Sequence, residues 1–581
     1  MRVVATSREG LGVAQEQVWP VPSLDIGAGI DSAAVSLFVE RAQGIAPSFV
    51  MVNGDEAAAV VEICQRLDGI PLAIELAASR MASMTAGEMR DRLDHRFRLL
   101  VGSRRGLERH HTLRHAVAWS YDLLDDTEKT VLDRCSVFTG GFDLHSACAV
   151  AGSDDLDEYA ILEVLDALVR KSLLVADRTS GRTRFSMLET IRQFAEEQLV
   201  ASGAADEARA AHSRYFAGRE ADILALWDSP RQREAYVWFT VERANLRTAF
   251  RWAVDQGDLD AAATIATYVP VLGGLFHSSE PIAWAEELIE PARAVNHPRL
   301  ASLYAIASLC CMAGRIEEAV GYAEAAQSVS GSGGDEVASR PVGLMCFAYL
   351  AIGQPERAVK WCRAQLARGR DTHTRTRAVL VVALVAAGAG EEARAAANGL
   401  IEAAEATRNP FMLAVALNAY GMAFRDVDPV RALAALRRGR VIAQGSTRLT
   451  DSLLAGMLCR LEAEHGDPVA AFDYVALAIR TFHDAGHTAL MRTPLAALAG
   501  LFDRIGRYEP AATIAGFAVS PMAAALIPEI STAITHLRDV LGDQTYESLA
   551  SKGETMTTTA MATYAYDQID QARAELNTVS K

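Results

Sequence analysis

Arg8 follows the apolar run Val3-Val4-Ala5 and the polar turn Thr6-Ser7, where a buried parallel strand delivers a functional side chain at its carboxyl end. A guanidinium there can fork onto phosphate oxygens, or it can be a solvated strand end. Pro71, in Asp68-Gly69-Ile70-Pro71, offers a rigid apolar ring or opens a helix at a position needing no N–H donor. A third group is cationic: Arg104, Arg105, Arg109, His110, His111, Arg114 and His115. It suits phosphate contact or a solvated face, and Asp122, Asp125, Asp126 and Glu128 follow closely. The His110-His111 pair has no Cys or carboxylate at ligand spacing, so no metal is expected.

No Gly-x-x-x-x-Gly-Lys-Ser/Thr phosphate loop occurs in the chain, and no Ser-His-Asp or Cys-His arrangement can be argued. Catalysis is therefore not expected. The eight cysteines lack metal-ligand spacing and sit mostly in apolar helical patterns, which predicts reduced core thiols. A formal net charge of −16 opposes nucleic-acid binding by the chain as a whole. No apolar run of transmembrane length and no signal segment is seen, so a cytoplasmic protein without membrane contact is expected.

The elements that must position these residues are mostly helices. Half the 581 residues are apolar but only 7 % are aromatic, a balance for close helix packing. Asp31 is a candidate cap for a helix bearing Val35, Phe38, Val39 and Ala42. A second stripe is Val60, Ile63, Cys64 and Leu67. Thr85 with Glu88, and Asp125 with Glu128, read as capping boxes. Helices at 112–124 and 126–136 and two more ending near Lys171 precede strands at 173–176 and 183–187. Helices followed by one hairpin suggest a winged helix.

Further on, a Gly that ends one helix recurs five residues before an Ala on its partner: Gly257/Ala262, Gly314/Ala319, Gly353/Ala358, Gly388/Ala393, Gly466/Ala471 and Gly506/Ala511. Val427/Ala432 is a weaker member. From 314 onward the repeats start 39, 35, 39, 39 and 40 residues apart, the period of stacked helical hairpins. Tyr304, Tyr322, Trp361 and Phe472 are expected to pack between these helices.

Four stretches in order carry a resemblance: Thr6-Ser7-Arg8-Glu9; Leu67 through Ala78 around Gly69-Ile70-Pro71; Thr112-Leu113-Arg114 with 119–124 and 136–142; and Phe185 through Arg192. The chain resembles the signal-transduction ATPases with numerous domains, of the actinobacterial type similar to NB-ARC switch proteins. The resemblance implies a mainly α fold: a remnant of a P-loop α/β domain (1–30), a helical domain with the Gly-x-Pro motif (31–105), a winged helix (106–205), a TPR-like α-solenoid (206–536) and a C-terminal helical cap (537–581). It implies that Arg8 would approach the γ-phosphate and Pro71 the adenine, with ATP or ADP held only if the absent phosphate loop is supplied. Leu188 stands where many such proteins have a diphosphate-touching His. The expected function is that of a non-catalytic regulatory arm, truncated before the phosphate loop, whose repeats bind a protein or small effector. An upstream-encoded ATPase or cyclase is an implied partner, and DNA is not an expected one. The alternatives are an ATP/ADP switch with a mis-assigned start, and a DNA-binding regulator acting through the winged helix.

Overall fold

The computed structural model describes residues 21–46, 49, 51, 54–93, 113–153, 156–179, 181–272, 280–329, 345–369, 371, 374–444 and 448–579. The chain divides into two compact units, residues 1–216 with 244–252, and residues 217–243 with 253–581. Among the described residues helices dominate, and the named strands form one two-stranded sheet. The strand expected at Val3–Ser7, Arg8, and the cations Arg104, Arg105, Arg109, His110 and His111 lie outside the described residues.

In the first unit, α1 (Ala33–Ile45), α2 (Gly54–Arg66), α3 (Pro71–Ala78) and α4 (Ala86–Asp91) pack through the expected stripes. Phe38, Val60, Ile63 and Leu67 are fully buried. The cap of α1 is not Asp31, which lies in a short 3-10 turn. The Ser32 hydroxyl accepts the N–H of Val35 instead, at 3.3 Å. Ser32 is the residue next to the first helical turn with extended backbone, the conformation an N-cap needs. The Thr85–Glu88 capping box is formed, with reciprocal bonds of 3.2 and 3.0 Å.

Four helices follow: α5 (Leu113–Asp122), α6 (Asp126–Cys135), α7 (Leu144–Ala151) and α8 (Glu158–Arg170). They lead into β1 (Val175–Asp177) and β2 (Arg184–Ser186), paired antiparallel with Ala176 opposite Phe185. The first strand begins later than the sequence suggests, because Leu173 and Leu174 turn into the core and are 3 % exposed. Phe142 adds a single bridge to Phe185, with both N–H···O bonds at 2.8 Å. This is a winged helix: a helical core, a bridge and a hairpin, closed by stacked Phe138, Phe142 and Phe185 rings. Asp125 and Glu128 cap α6, and both Glu128 carboxylate oxygens take Lys171 at the end of α8, at 2.6 and 2.7 Å. The unit continues through α9 (Glu189–Ala201) and α10 (Ala205–Gly218).

The second unit is a succession of helical hairpins. Gly257, Gly314, Gly353, Gly388 and Gly506 stand at their turns with φ between 71° and 91°. Their partners Ala262, Ala319, Ala358, Ala393 and Ala511 are at most 1 % exposed, as close crossing requires. Gly466 differs, being absent from the left-handed positions. Its missing Cβ makes room for the buried Glu462, whose Oε2 would lie 2.0 Å from one. Tyr304 and Phe472 are buried against Tyr322 and Phe502, with ring centroids 6.3 and 5.8 Å apart. Near the end, Gly542 separates two helices, and Gly553 is the penultimate residue of the second, which ends before a further helix begins at Thr558. Gly553 lies inside the helix Asp543–Glu554, against the backbone of Tyr508–Ala518. Among the described residues no helix is long and apolar enough to cross a membrane.

Candidate functional site

Asp68 and Gly69 end α2 with φ of 57° and 64°, a reversal that aims the Asp68 side chain away from its own helix. Its Oδ2 accepts the backbone N–H of Thr190 at 3.1 Å and the Thr190 hydroxyl at 3.4 Å, across 122 residues. Leu188, at the N-cap position of α9, provides no side-chain cap. Asp68 takes over that task from another helix, placing a carboxylate at the positive end of α9. Thr190 is fully buried. Gly69 is fixed from the other side, since its carbonyl accepts the N–H of Leu24 at 2.9 Å and a Cβ would lie 2.3 Å from the Leu24 carbonyl.

The joint therefore brings together two of the four stretches singled out in the sequence. Pro71 starts α3 beside it, exposed, and Leu188 is half-buried. Asp68 is the residue that sequence reasoning missed. The only available signal was an Asp before Gly at a helix end, which does not name a partner 122 residues away.

Behind the joint, Arg192 fixes the first turn of α9. Its guanidinium bonds both oxygens of Glu189 at 2.8 Å, Glu196 at 3.0 Å and the Ser136 carbonyl at 3.2 Å, and these bonds hold it firmly protonated. The Thr139-Gly140-Gly141 turn is held by Asn245, fully buried. Its Oδ1 accepts the N–H groups of Thr139 (2.9 Å) and Gly140 (3.3 Å), and its Nδ2 donates to the Gly141 carbonyl at 2.9 Å. Burial presses the neighbouring His212 down to about 3, against an opposing hydrogen bond with Asn245, so the ring is neutral at ordinary pH.

The second surface is α8, the later helix of the α7–α8 pair. In a helix-turn-helix that helix enters the major groove. Its exposed side chains are Glu158, Tyr159, Leu162, Glu163, Asp166 and Arg170, and Arg170 is ion-paired to Asp166. The helix is entered through Asp154-Asp155-Leu156-Asp157 in the sequence, and Asp157 caps it by accepting the N–H of Ala160 at 2.8 Å. Tyr159 is 79 % exposed and Leu162 42 %. Beside them a groove of about 400 Å³ runs between α8 and the hairpin, lined by Leu162, Asp166, Val169 and Phe185 and by Arg178 and Arg182 at the wing. Leu162 and Phe185 give this groove an apolar centre, with carboxylates on its α8 side and Arg178 and Arg182 on its wing side.

Of the cationic cluster, Arg114 is described: it is exposed, paired with Glu197 and lies 5.4 Å from the Phe194 ring centroid. Seven cysteines are buried and Cys148 is half-buried, and burial pushes the Cys64, Cys311 and Cys459 thiols up to about 12, far from a reactive thiolate. Glu286, Cys310 and Glu318 converge in the second unit, but Arg315 already bonds both carboxylates, at 2.6 and 2.8 Å.

These features define a winged-helix unit joined to a helical module, followed by helical repeats. In agreement, residues 124–200 match the winged helix-turn-helix domain family. A Mycobacterium bovis protein named "Putative HTH-type transcriptional regulator" is 43 % identical over 295 residues, covering 50 % of this chain and 33 % of that protein. A Mycobacterium tuberculosis protein of the same description matches to the same extent. The chain thus spans about a third of the length of these relatives. An uncharacterised M. tuberculosis protein is 40 % identical over 218 residues, covering 37 % of this chain and 54 % of that one. Among solved structures, a signal transduction ATPase with numerous domains and a tetratricopeptide repeat sensor, from Pyrococcus horikoshii, aligns with a TM-score of 0.38 at 13 % identity, over 87 % of this chain and 76 % of that one.

Proposed function

We propose that this chain is a non-catalytic switch and sensor region of a transcription-regulatory protein, working by binding. Its winged helix is coupled to the preceding helical module, and its repeats take a protein segment or small effector. The observation that carries this reading is the bond that the Thr190 N–H donates to the Asp68 carboxylate. A helix cap supplied from another module ties the two together, so that moving one against the other must uncap α9. The regulator names of the mycobacterial relatives support the transcriptional setting.

Asp68→Ala tests the coupling. Loss of the cap costs about 1 kcal/mol, and amide exchange should rise at Thr190 to Phe194 while the β1–β2 amides keep their protection. Unchanged exchange at Thr190 contradicts the reading. A second reading, DNA binding, rests on the winged-helix match and on Arg178 and Arg182 at the wing. It requires α8 to approach phosphates with three exposed carboxylates, Glu158, Glu163 and Asp166, so the protein-binding reading is preferred.

A further inference from the structure

We infer that the exposed face of α8, with the groove beside it, is a docking surface for a basic amphipathic helix of a partner protein. The inference deepens the reading of the chain as a binding protein and rests on it. Tyr159 and Leu162 are three residues apart, hence neighbours on one face, and both are exposed although large and apolar. Glu158, Glu163 and Asp166 surround them. An aromatic and an aliphatic side chain ringed by carboxylates is the complement of a helix with leucines on one stripe and lysines or arginines beside it.

Charge decides against the other occupants. The exposed face of α8 carries three carboxylates, Glu158, Glu163 and Asp166, and one arginine, Arg170, which is already paired with Asp166. Duplex DNA would meet like charge at Glu158, Glu163 and Asp166, with Arg178 and Arg182 confined to the wing side of the groove. A second copy placing its own α8 here would bring Glu158, Glu163 and Asp166 against the same three carboxylates. A basic helix instead exchanges its counterions for the α8 carboxylates and covers Tyr159 and Leu162. The groove leads from Leu162 to Phe185, giving an apolar anchor a place beyond the helix surface.

The test titrates a labelled amphipathic Leu/Lys helical peptide into the full chain at physiological salt, with a labelled Leu/Glu peptide and labelled duplex DNA titrated separately. Saturable binding of the Leu/Lys peptide is expected. It should weaken about tenfold or more in Glu158→Gln/Glu163→Gln and in Tyr159→Ala/Leu162→Ala, with unchanged thermal unfolding. The control Glu391→Gln/Glu402→Gln/Asp539→Asn removes exposed carboxylates from the second unit and should bind like the parent. The inference is overturned by equal loss in the control, which would show general attraction to an acidic chain. It is equally overturned by no saturable binding of the Leu/Lys peptide, by saturable binding of the Leu/Glu peptide or of DNA, or by self-association that Tyr159→Ala abolishes. The exchange experiment at Asp68 reads a different contact, so either result can fail alone.

Discussion

Asp133 carries a pH dependence that belongs to one residue. The Tyr121 hydroxyl donates to its Oδ2 at 2.7 Å while Oδ1 is buried without a partner. Burial raises this carboxyl from 3.8 to about 6, against the pull of the Tyr121 bond and the Lys129 charge. Between those two values the folded protein holds a proton that the unfolded chain has released. Stability contributed by this group is therefore greatest in acid and falls as pH rises towards 6, by roughly 2 kcal/mol between pH 4.5 and 7. Asp133→Asn keeps an acceptor for Tyr121 and cannot titrate. Its stability relative to the parent should improve by about that amount over the same interval, measured by denaturant unfolding at each pH. A difference independent of pH would contradict the assignment. At this scale the sequence reveals local chemistry and conceals distant chemistry. The Asp125–Glu128 box is visible because its members are three residues apart. The Asp68–Thr190 bond is not, because only the fold brings those residues together.

Close helix crossings decide packing at the scale of elements. A Cβ on Gly553 would lie 1.8 Å from the Thr513 carbonyl oxygen, and one on Gly516 2.1 Å from that of Ala550. The helices Tyr508–Ala518 and Asp543–Glu554 thus touch backbone to backbone. Gly553→Ala should destabilise the protein by about 1–3 kcal/mol, since neither backbone can yield without shifting its helix. Gly500, inside the helix Thr488–Arg504, has open space at its Cβ, and Gly500→Ala should stabilise by up to about 1 kcal/mol. Thermal unfolding of both variants checks this, and equal effects would refute the crossing. The repeat turns were legible because Gly and Ala recur at a fixed offset. The Gly553 crossing was not, because one glycine in a helix looks the same whether it ends the helix or admits a neighbour. The acidity of α8 stands openly in Asp154-Asp155-Leu156-Asp157-Glu158. What the sequence leaves out is that this run opens the helix whose exposed face flanks the wing groove.

For the whole molecule, the winged helix and the helical repeats were readable from hydrophobic period and turn residues, and both stand in the structure. Of the residues carried by resemblance, Pro71 is exposed at the start of α3, and Arg8 lies outside the described residues. Under the proposed function, the formal charge of −16 and the exposed carboxylates of α8 favour a protein partner over nucleic acid. The proposed function has this winged helix bind protein and leave DNA unread. Fluorescence anisotropy of labelled duplex DNA titrated with the full chain at low salt tests it most directly. No saturable rise in anisotropy is expected. A rise that disappears with added salt and with Arg178→Ala/Arg182→Ala would contradict it.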